Sequence, residues 1–483
     1  MPFRREITVK TDIEKVAPGA ERDDAAEALI GRARTAMEAF KSAPQERLDE
    51  AVTALAWSIY KPDRARALAA LAVETTGLGD IESKITKNRR KTFGCLRDLL
   101  RVKSTGVIEE LPERGLVKYA KPVGVVAAIT PSTNPSATPV NKAMFAIKGA
   151  NAIVMAPSPA GWTATNATVE AMRTGLAGIG APEDLVQILP TPVTRRATAA
   201  LMKAADLVIC TGSQNNVRAA YGSGTPAIGV GAGNVTVIID SSADLDAAAG
   251  KIKASKIFDN ATSCSSENSL IIPDDIYDLA IAALKRVGGY MATPEERTRI
   301  VERLWVEGKL NRELIGHDAR VLAEAFELPA AADQASFFMV EESGIGKDYP
   351  LSGEKLSLVL SVYRGRDFDD AKRIAAAILE HQGRGHSVGI HTTDMDRARE
   401  LAAELDVVRV LVNQAHAFGN GGGFDNGLPF TLSMGCGTWQ GNSISENLNY
   451  RCFINITHLV TTIEEDKPSE EALFGAYWNK YGK

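Results

Sequence analysis

The chain has 483 residues, 45 % of them hydrophobic and 24 % charged, a balance that excludes disordered and fibrous classes. Lys and Arg total 55 against 60 Asp and Glu, a formal net charge of −5, so no electrostatic footprint for nucleic acid or an anionic membrane is present. Apolar runs such as Val123–Ile129 fall far short of the ~20 residues of a membrane-spanning helix.

Met1-Pro2-Phe3-Arg4-Arg5-Glu6 opens no apolar leader, and the five cysteines show no pairing pattern; both predict a reducing cytoplasm. From about Glu21 to Lys103 the sequence reads as successive helices, broken at Ser42-Ala43-Pro44, Lys61-Pro62 and Gly77-Leu78-Gly79. From Val123 β-branched runs alternate with Ala-rich amphipathic stretches: Val123–Ile129, Val140–Lys148, Ala152–Met155, Thr163–Arg173, Leu185–Leu189, Thr194–Ala204, Asp206–Cys210 and Asn215–Tyr221. A second such series runs from Val235–Ile239 to Val407–Val412. Alternation at these lengths predicts βαβ units and two parallel sheets, with ligands outside the carboxyl ends of the strands. Residues 413–443 form a long Gly/Asn-rich stretch, and Ile444–Ile463 reads as a β-rich arm suited to pairing with another subunit.

Three segments carry chemistry. Asp206–Cys210 followed by Thr211-Gly212-Ser213 and a helix is a strand, a glycine turn and a helix start, which offers free N–H groups to a pyrophosphate; an ordinary βα turn fits the same spacing. The cluster Gly229-Val230-Gly231-Ala232-Gly233-Asn234 is not a dinucleotide fingerprint, because a strand rather than a helix follows it. Phe258–Asn268 is a polar loop holding Cys264, whose surroundings of Ser, Thr and backbone amides favour a reactive thiolate. Cys436 competes with it, while Cys95, Cys210 and Cys452 read as core. In Thr130-Pro131-Ser132-Thr133-Asn134-Pro135, an Asn amide between two prolines suits either an oxyanion donor or a plain turn. The six histidines show no metal-ligand spacing, so no metal is expected. His386 and His391 read as structural, and His416 as a substrate-shaping side chain.

These strings, with Pro226–Asn234, Glu354-Lys355-Leu356-Ser357 and Gly435–Asn447, resemble in order and separation the CoA-acylating branch of the aldehyde dehydrogenase superfamily. The resemblance runs from about Val117 to His458, the helical start fitting more loosely. It implies an α/β fold of two Rossmann-like domains with a small β oligomerisation arm. Residues 1–240 would hold the helical region and the dinucleotide-binding domain, with part of the arm near 105–122. Residues 241–443 would form the catalytic domain, and 444–483 the arm and tail, in a homodimer or homotetramer. It implies Cys264 as nucleophile, with Asn134 and the Cys264 amide as oxyanion hole. Thr130, Pro131, Ser158, Thr211, Gly212, Ser213 and Gly229 would line the cofactor, and Glu354 would hold the nicotinamide ribose.

Hydrolytic members carry a general-base Glu where this chain has Gly229-Val230-Gly231-Ala232, and losing such a base costs roughly 10²–10⁴-fold in water activation. A thiol with a pKa of about 8.5 depends on it less, so the departure favours coenzyme A as acyl acceptor in a pocket with no acid side chain able to prime water. Ala156-Pro157-Ser158-Pro159 lacks the Lys and Glu of that branch, so NADP should be tolerated beside NAD. The C-terminal strings Asn413-Gln414-Ala415-His416, Phe424-Asp425-Asn426-Gly427 and Asn449-Tyr450-Arg451 are most similar to acylating sulfoacetaldehyde dehydrogenases, with acetaldehyde and succinate-semialdehyde enzymes as alternatives. His416 and Arg451 are the cations this suggests for a sulfonate. A hydrolytic dehydrogenase and a catalytically silent binding protein on the same fold are the competing readings.

Overall fold

A computed structural model gives the architecture of residues 23–483; the reading of the opening six residues lies outside them. Four helices come first: α1 (Asp24–Phe40), α2 (Gln45–Tyr60), α3 (Pro62–Thr76) and α4 (Ile81–Leu100). Asp23 caps α1 by accepting from the Ala26 N–H, and its buried stripe of Ala26, Leu29, Ile30, Ala33, Ala36 and Phe40 follows the helical period. Helix α4 is different. Capped by Asp80, it buries Lys84, Lys87, Asn88 and Lys91 along with Cys95 and Leu99, a polar inward stripe that apolar packing does not explain.

The first parallel sheet has five strands in spatial order Val186–Ile188, Ala152–Pro157, Val125–Thr130, Leu207–Thr211 and Ala227–Val230. Numbered along the chain this is 3-2-1-4-5, the order of a doubly wound dinucleotide fold. The second sheet has seven strands, all parallel: Gly289–Met291, Phe337–Glu341, Val359–Gly365, Glu267–Pro273, Val235–Ile239, Gly385–His391 and Val407–Val412. Alternation along the strands feeds its two faces into separate cores, Val237 on one side and Ile238 on the other. The chain then returns to the first core through Phe430, Leu448 and Phe453.

A third, antiparallel sheet joins distant parts of the chain: Gly106–Leu111, Leu116–Pro122 and Ile454–Val460. Of the β-rich run expected at 444–463 only this last strand forms, because Tyr450–Phe453 is a 3-10 turn and residues before it bend around the site. Leading into the glycine cluster, Ala227–Val230 forms the edge strand of the first sheet.

Candidate active site

In an open parallel sheet the crevice lies where the strand order reverses, here between Val125–Thr130 and Leu207–Thr211. Thr130, Pro131, Thr211 and Gly212 therefore come together at one carboxyl edge. Ser213 caps the helix Gln214–Tyr221, its Oγ accepting from the Asn216 N–H, so the helix N-terminus points at the same crevice. Ser158 sits beside Thr130, donating its N–H to the Thr130 carbonyl at 3.0 Å. The hydroxyls of Thr130 and Ser158 are buried and without hydrogen-bond partners, acceptors and donors in waiting for a polar ligand. That edge fits a dinucleotide. Beneath it, the fully buried Lys142 donates to the carbonyls of Ile129 at 2.7 Å and Ile209 at 3.0 Å, tying the two strands at the reversal. At Gly229 the N–H donates to the Tyr221 hydroxyl, and a Cβ there would meet Val217 and Tyr221.

The second sheet supplies the sulfur. Helix Leu245–Ile257 ends in three successive left-handed residues, Asp259, Asn260 and Ala261 (φ 52°, 51° and 58°), which turn the chain into the loop of Cys264. Such a run costs roughly 1–2 kcal/mol per residue and persists only when its surroundings over-determine it. Here α4 does so. Asp259 accepts from Lys84 Nζ at 3.0 Å, Lys87 Nζ at 2.5 Å, Thr262 Oγ1 at 2.8 Å and the Asp80 N–H at 3.1 Å. Burial opposes its charge, but Lys87 and Lys84 prevail and hold the carboxyl below its usual range. A side chain at Gly79 (φ 76°) would collide with this carboxylate, which explains the glycine.

The same ammonium of Lys87 donates to Asn134 Oδ1 at 2.7 Å. With Oδ1 engaged, the Asn134 amide is held in one orientation and its Nδ2 is left with a single long contact, 3.4 Å to Thr133 Oγ1. Cys264 is half-buried, its thiol at the buried end. Gly233 packs against its carbonyl so closely that no Cβ fits.

The resting thiol is not the thiolate that a polar loop suggests. Burial first, then Glu354 and Cys436, push it up to about 12. Glu354 is itself raised to about 8 by burial, against a hydrogen bond from Gly233 and the charges of Lys355 and Lys256. The expectation of a pocket free of acids is thus corrected: position 229 has no carboxylate, but Glu354 lies within electrostatic reach of the sulfur. Glu267, also buried, faces the interior, where the His416 N–H reaches it at 3.3 Å and Lys256 donates to its carbonyl at 2.7 Å.

Cys436 is fully buried, its Sγ against the Met434 carbonyl at 3.6 Å, and Arg409 beside it donates to the Gly435 carbonyl. Cys95 and Cys210 are core residues and Cys452 is half-buried. His416 is 1 % exposed with Nε2 bonded to Ser387 Oγ at 2.8 Å, so its ring lies inside the protein and not on an open wall. Arg451 is exposed, beside Tyr450, Glu446 and Glu109. Sequence reading placed α4 among the helices but missed its part in the site: the signal was three lysines at helical spacing, Lys84, Lys87 and Lys91, on a face also carrying Cys95 and Leu99. Among the described residues no group of three or more His, Cys, Asp or Glu could hold a metal ion, and no helix is long and apolar enough to cross a membrane.

The two parallel sheets, one with a strand-order reversal and the other carrying the cysteine loop, define the class, and residues 9–289 match the model of the aldehyde dehydrogenase family. The chain belongs to that family. Within it, the chain is 50 % identical to a sulfoacetaldehyde dehydrogenase (acylating) of Cupriavidus necator, over 97 % of this chain and 95 % of the relative. It is 43 % identical to a protein of the same name from Bilophila wadsworthia, over 93 % and 98 %. The crystal structure of an acetylating aldehyde dehydrogenase from Geobacillus thermoglucosidasius superposes with a TM-score of 0.88 at 34 % identity, covering 93 % of this chain and all of that one. The likeness includes the helical start, which the motifs alone matched loosely.

Proposed function

We propose that the chain is a CoA-acylating aldehyde dehydrogenase that oxidises sulfoacetaldehyde to its acyl-CoA with NAD or NADP. The observation that carries the chemistry is the Lys87 ammonium, which holds both the Asn134 amide and Asp259 of the turn leading into the half-buried Cys264 loop, with no side chain at 229 to act as a base. The substrate rests on the 50 % identity to the Cupriavidus necator enzyme.

Cys264 reacts as the thiolate, its proton passing to solvent. The Sγ–carbon bond forms, the carbonyl electron pair moves onto oxygen, and the Asn134 Nδ2–H and the Cys264 N–H stabilise that oxyanion. A nicotinamide dinucleotide would be held at the edge of Thr130, Pro131, Ser158, Thr211, Gly212 and Ser213, with Glu354 as the residue for its ribose, and would supply the hydride acceptor; loss of the hydride leaves Cys264 as a thioester. The thiolate of CoA then attacks the thioester carbon and expels the Cys264 thiolate, so one aldehyde, one CoA and one oxidised cofactor give acyl-CoA, reduced cofactor and a proton. Without a carboxylate at 229, water is the poorer acceptor.

The chain reads as a cofactor-binding part (1–240), a nucleophile-bearing part (241–443) and an arm (444–483). Beyond Ile454 the arm leaves Leu459, Val460, Ile463, Leu473, Phe474 and Tyr477 exposed, a surface suited to a second copy in a homodimer or homotetramer. Five unpaired cysteines suit a cytoplasmic enzyme. The test is a panel of sulfoacetaldehyde, acetaldehyde and succinate semialdehyde with CoA and either NAD or NADP. Acyl-CoA formation with the highest kcat/KM on sulfoacetaldehyde is expected; preference for either other aldehyde overturns the substrate assignment.

A further inference from the structure

The inward face of α4 brings more positive charge to the site than the protein neutralises. Lys84 and Lys87 share Asp259. Lys91, one turn further along, is 8 % exposed and donates to the Gly421 carbonyl at 2.7 Å; among the described residues it has no carboxylate partner. Arg90 beside it has a buried Nη1 without a hydrogen-bond partner, and its guanidinium stands 5.3–5.5 Å from the rings of Phe418, Phe424 and Phe430. A buried ammonium without a carboxylate is costly unless it sheds its proton or meets an anion, and Lys91 differs from the carbonyl-bound Lys142 in lying within electrostatic reach of Cys264.

The place of that cation is set by two short connections. The Asn420 amide, one residue before the acceptor of Lys91, donates to Ser265 Oγ at 2.9 Å, and Ser265 adjoins Cys264. Lys87, one turn back on the same face, holds Asn134. The ammonium of Lys91 lies within electrostatic reach of Cys264, so an aldehyde bound on that sulfur would bring its tail near it. Gly421 permits the close approach of the ammonium, since a Cβ there would stand 2.6 Å from the Thr431 carbonyl and 2.7 Å from Lys91 Nζ. Burial, with Arg90 and Lys87, lowers Lys91 to about 7, while the thiolate form of Cys264 raises it; an arriving anion relieves the same repulsion.

We propose that Lys91, backed by Arg90, binds the anionic tail of the substrate and selects a short aldehyde bearing a sulfonate. The inference rests on the acyl-transfer reading and adds the recognising group to it. In sulfoacetaldehyde one methylene separates the sulfonate from the carbonyl carbon, so an aldehyde bound at Cys264 carries its charge into this neighbourhood. The ammonium has three donors and spends one on Gly421, leaving two for sulfonate oxygens.

The experiment compares wild type, Lys91→Met and Lys91→Arg on sulfoacetaldehyde and on acetaldehyde, which has the same carbonyl and no charge. Lys91→Met should lower kcat/KM for sulfoacetaldehyde at least about 30-fold, the loss expected when one partner of a buried charged contact is removed. Acetaldehyde turnover should stay near the wild-type value, and Lys91→Arg should restore much of the sulfoacetaldehyde rate. Equal effects on the two aldehydes, or none, overturn the inference. Arg90→Met is the second variant, useful if Lys91→Met does not fold: it should shift selectivity the same way, and an equal effect on both aldehydes counts against the proposal. A wild type without preference for sulfoacetaldehyde defeats the substrate reading itself, whatever the variants do.

Discussion

Cys264 and Cys436 stand in closely similar surroundings. Each carbonyl is approached by a glycine that admits no Cβ, Gly233 for one and Gly385 for the other. Both thiols are raised chiefly by burial, Cys264 to about 12 and Cys436 to about 11, and Arg409 offsets part of the rise at each. Acidity alone would choose Cys436. What separates them is the exposure of the residue as a whole and its company: Cys436 is fully buried against the Met434 carbonyl, whereas Cys264 is half-buried with Glu354 nearby. Resting acidity is therefore a poor guide to which sulfur reacts. A site that binds a cationic nicotinamide ring and then an electrophile is better judged by reach and by oxyanion donors than by its empty-state charge.

The largest effect expected from this contrast is in Cys264→Ala, which should lose roughly 10⁴-fold or more in kcat, as removal of a covalent nucleophile does. Retention of more than a few per cent of wild-type turnover would mean that another sulfur carries the acyl group. Asn134→Ala should lower kcat by about 10²–10³-fold with the thiol still able to react with alkylating agents, the cost of one oxyanion donor. If alkylation of Cys264 falls in parallel, Asn134 supports the loop rather than the oxyanion.

The pH dependence follows from the raised thiol. A group whose acid pKa lies near 12 is protonated throughout the neutral range, so its thiolate fraction grows about tenfold per pH unit. Iodoacetamide should label Cys264 of the cofactor-free protein about tenfold faster for each unit from pH 7 to 9, read by mass spectrometry of its peptide. A plateau by pH 8 would show that the thiol is already ionised. Smallest of all, Cys436→Ala should change kcat within about threefold, because it removes no bond to a reacting atom; a loss like that of Cys264→Ala would reverse the assignment.

The sequence was most legible where one physical signal dominated. β-branched runs gave Val235–Ile239 and Val407–Val412 with their observed limits, and the helical series before Lys103 broke where Pro and Gly demanded. It was least legible between 289 and 341, where Gly289–Met291 is too short to show alternation and Phe337–Glu341 enters the sheet only through tertiary pairing. At the site, a cysteine in a polar loop and an Asn between prolines could be picked out as residues. Their support could not: the Asp259 turn held by Lys84 and Lys87 joins positions more than 170 apart, and local patterning carries no such pairing. His416, singled out for its glycine-rich surroundings, owes its burial to Ser387 on a strand that sequence alone does not place beside it.

The central claim is that the acyl group on Cys264 waits for a thiol and not for water, although Glu354 stands within electrostatic reach. The most direct measurement is a rapid-mixing experiment with sulfoacetaldehyde and oxidised cofactor in the absence of CoA. The account predicts one equivalent of reduced cofactor per active site, then a halt that added CoA releases. Sustained turnover without CoA, with free acid accumulating, would contradict it and make Glu354 the base that activates water.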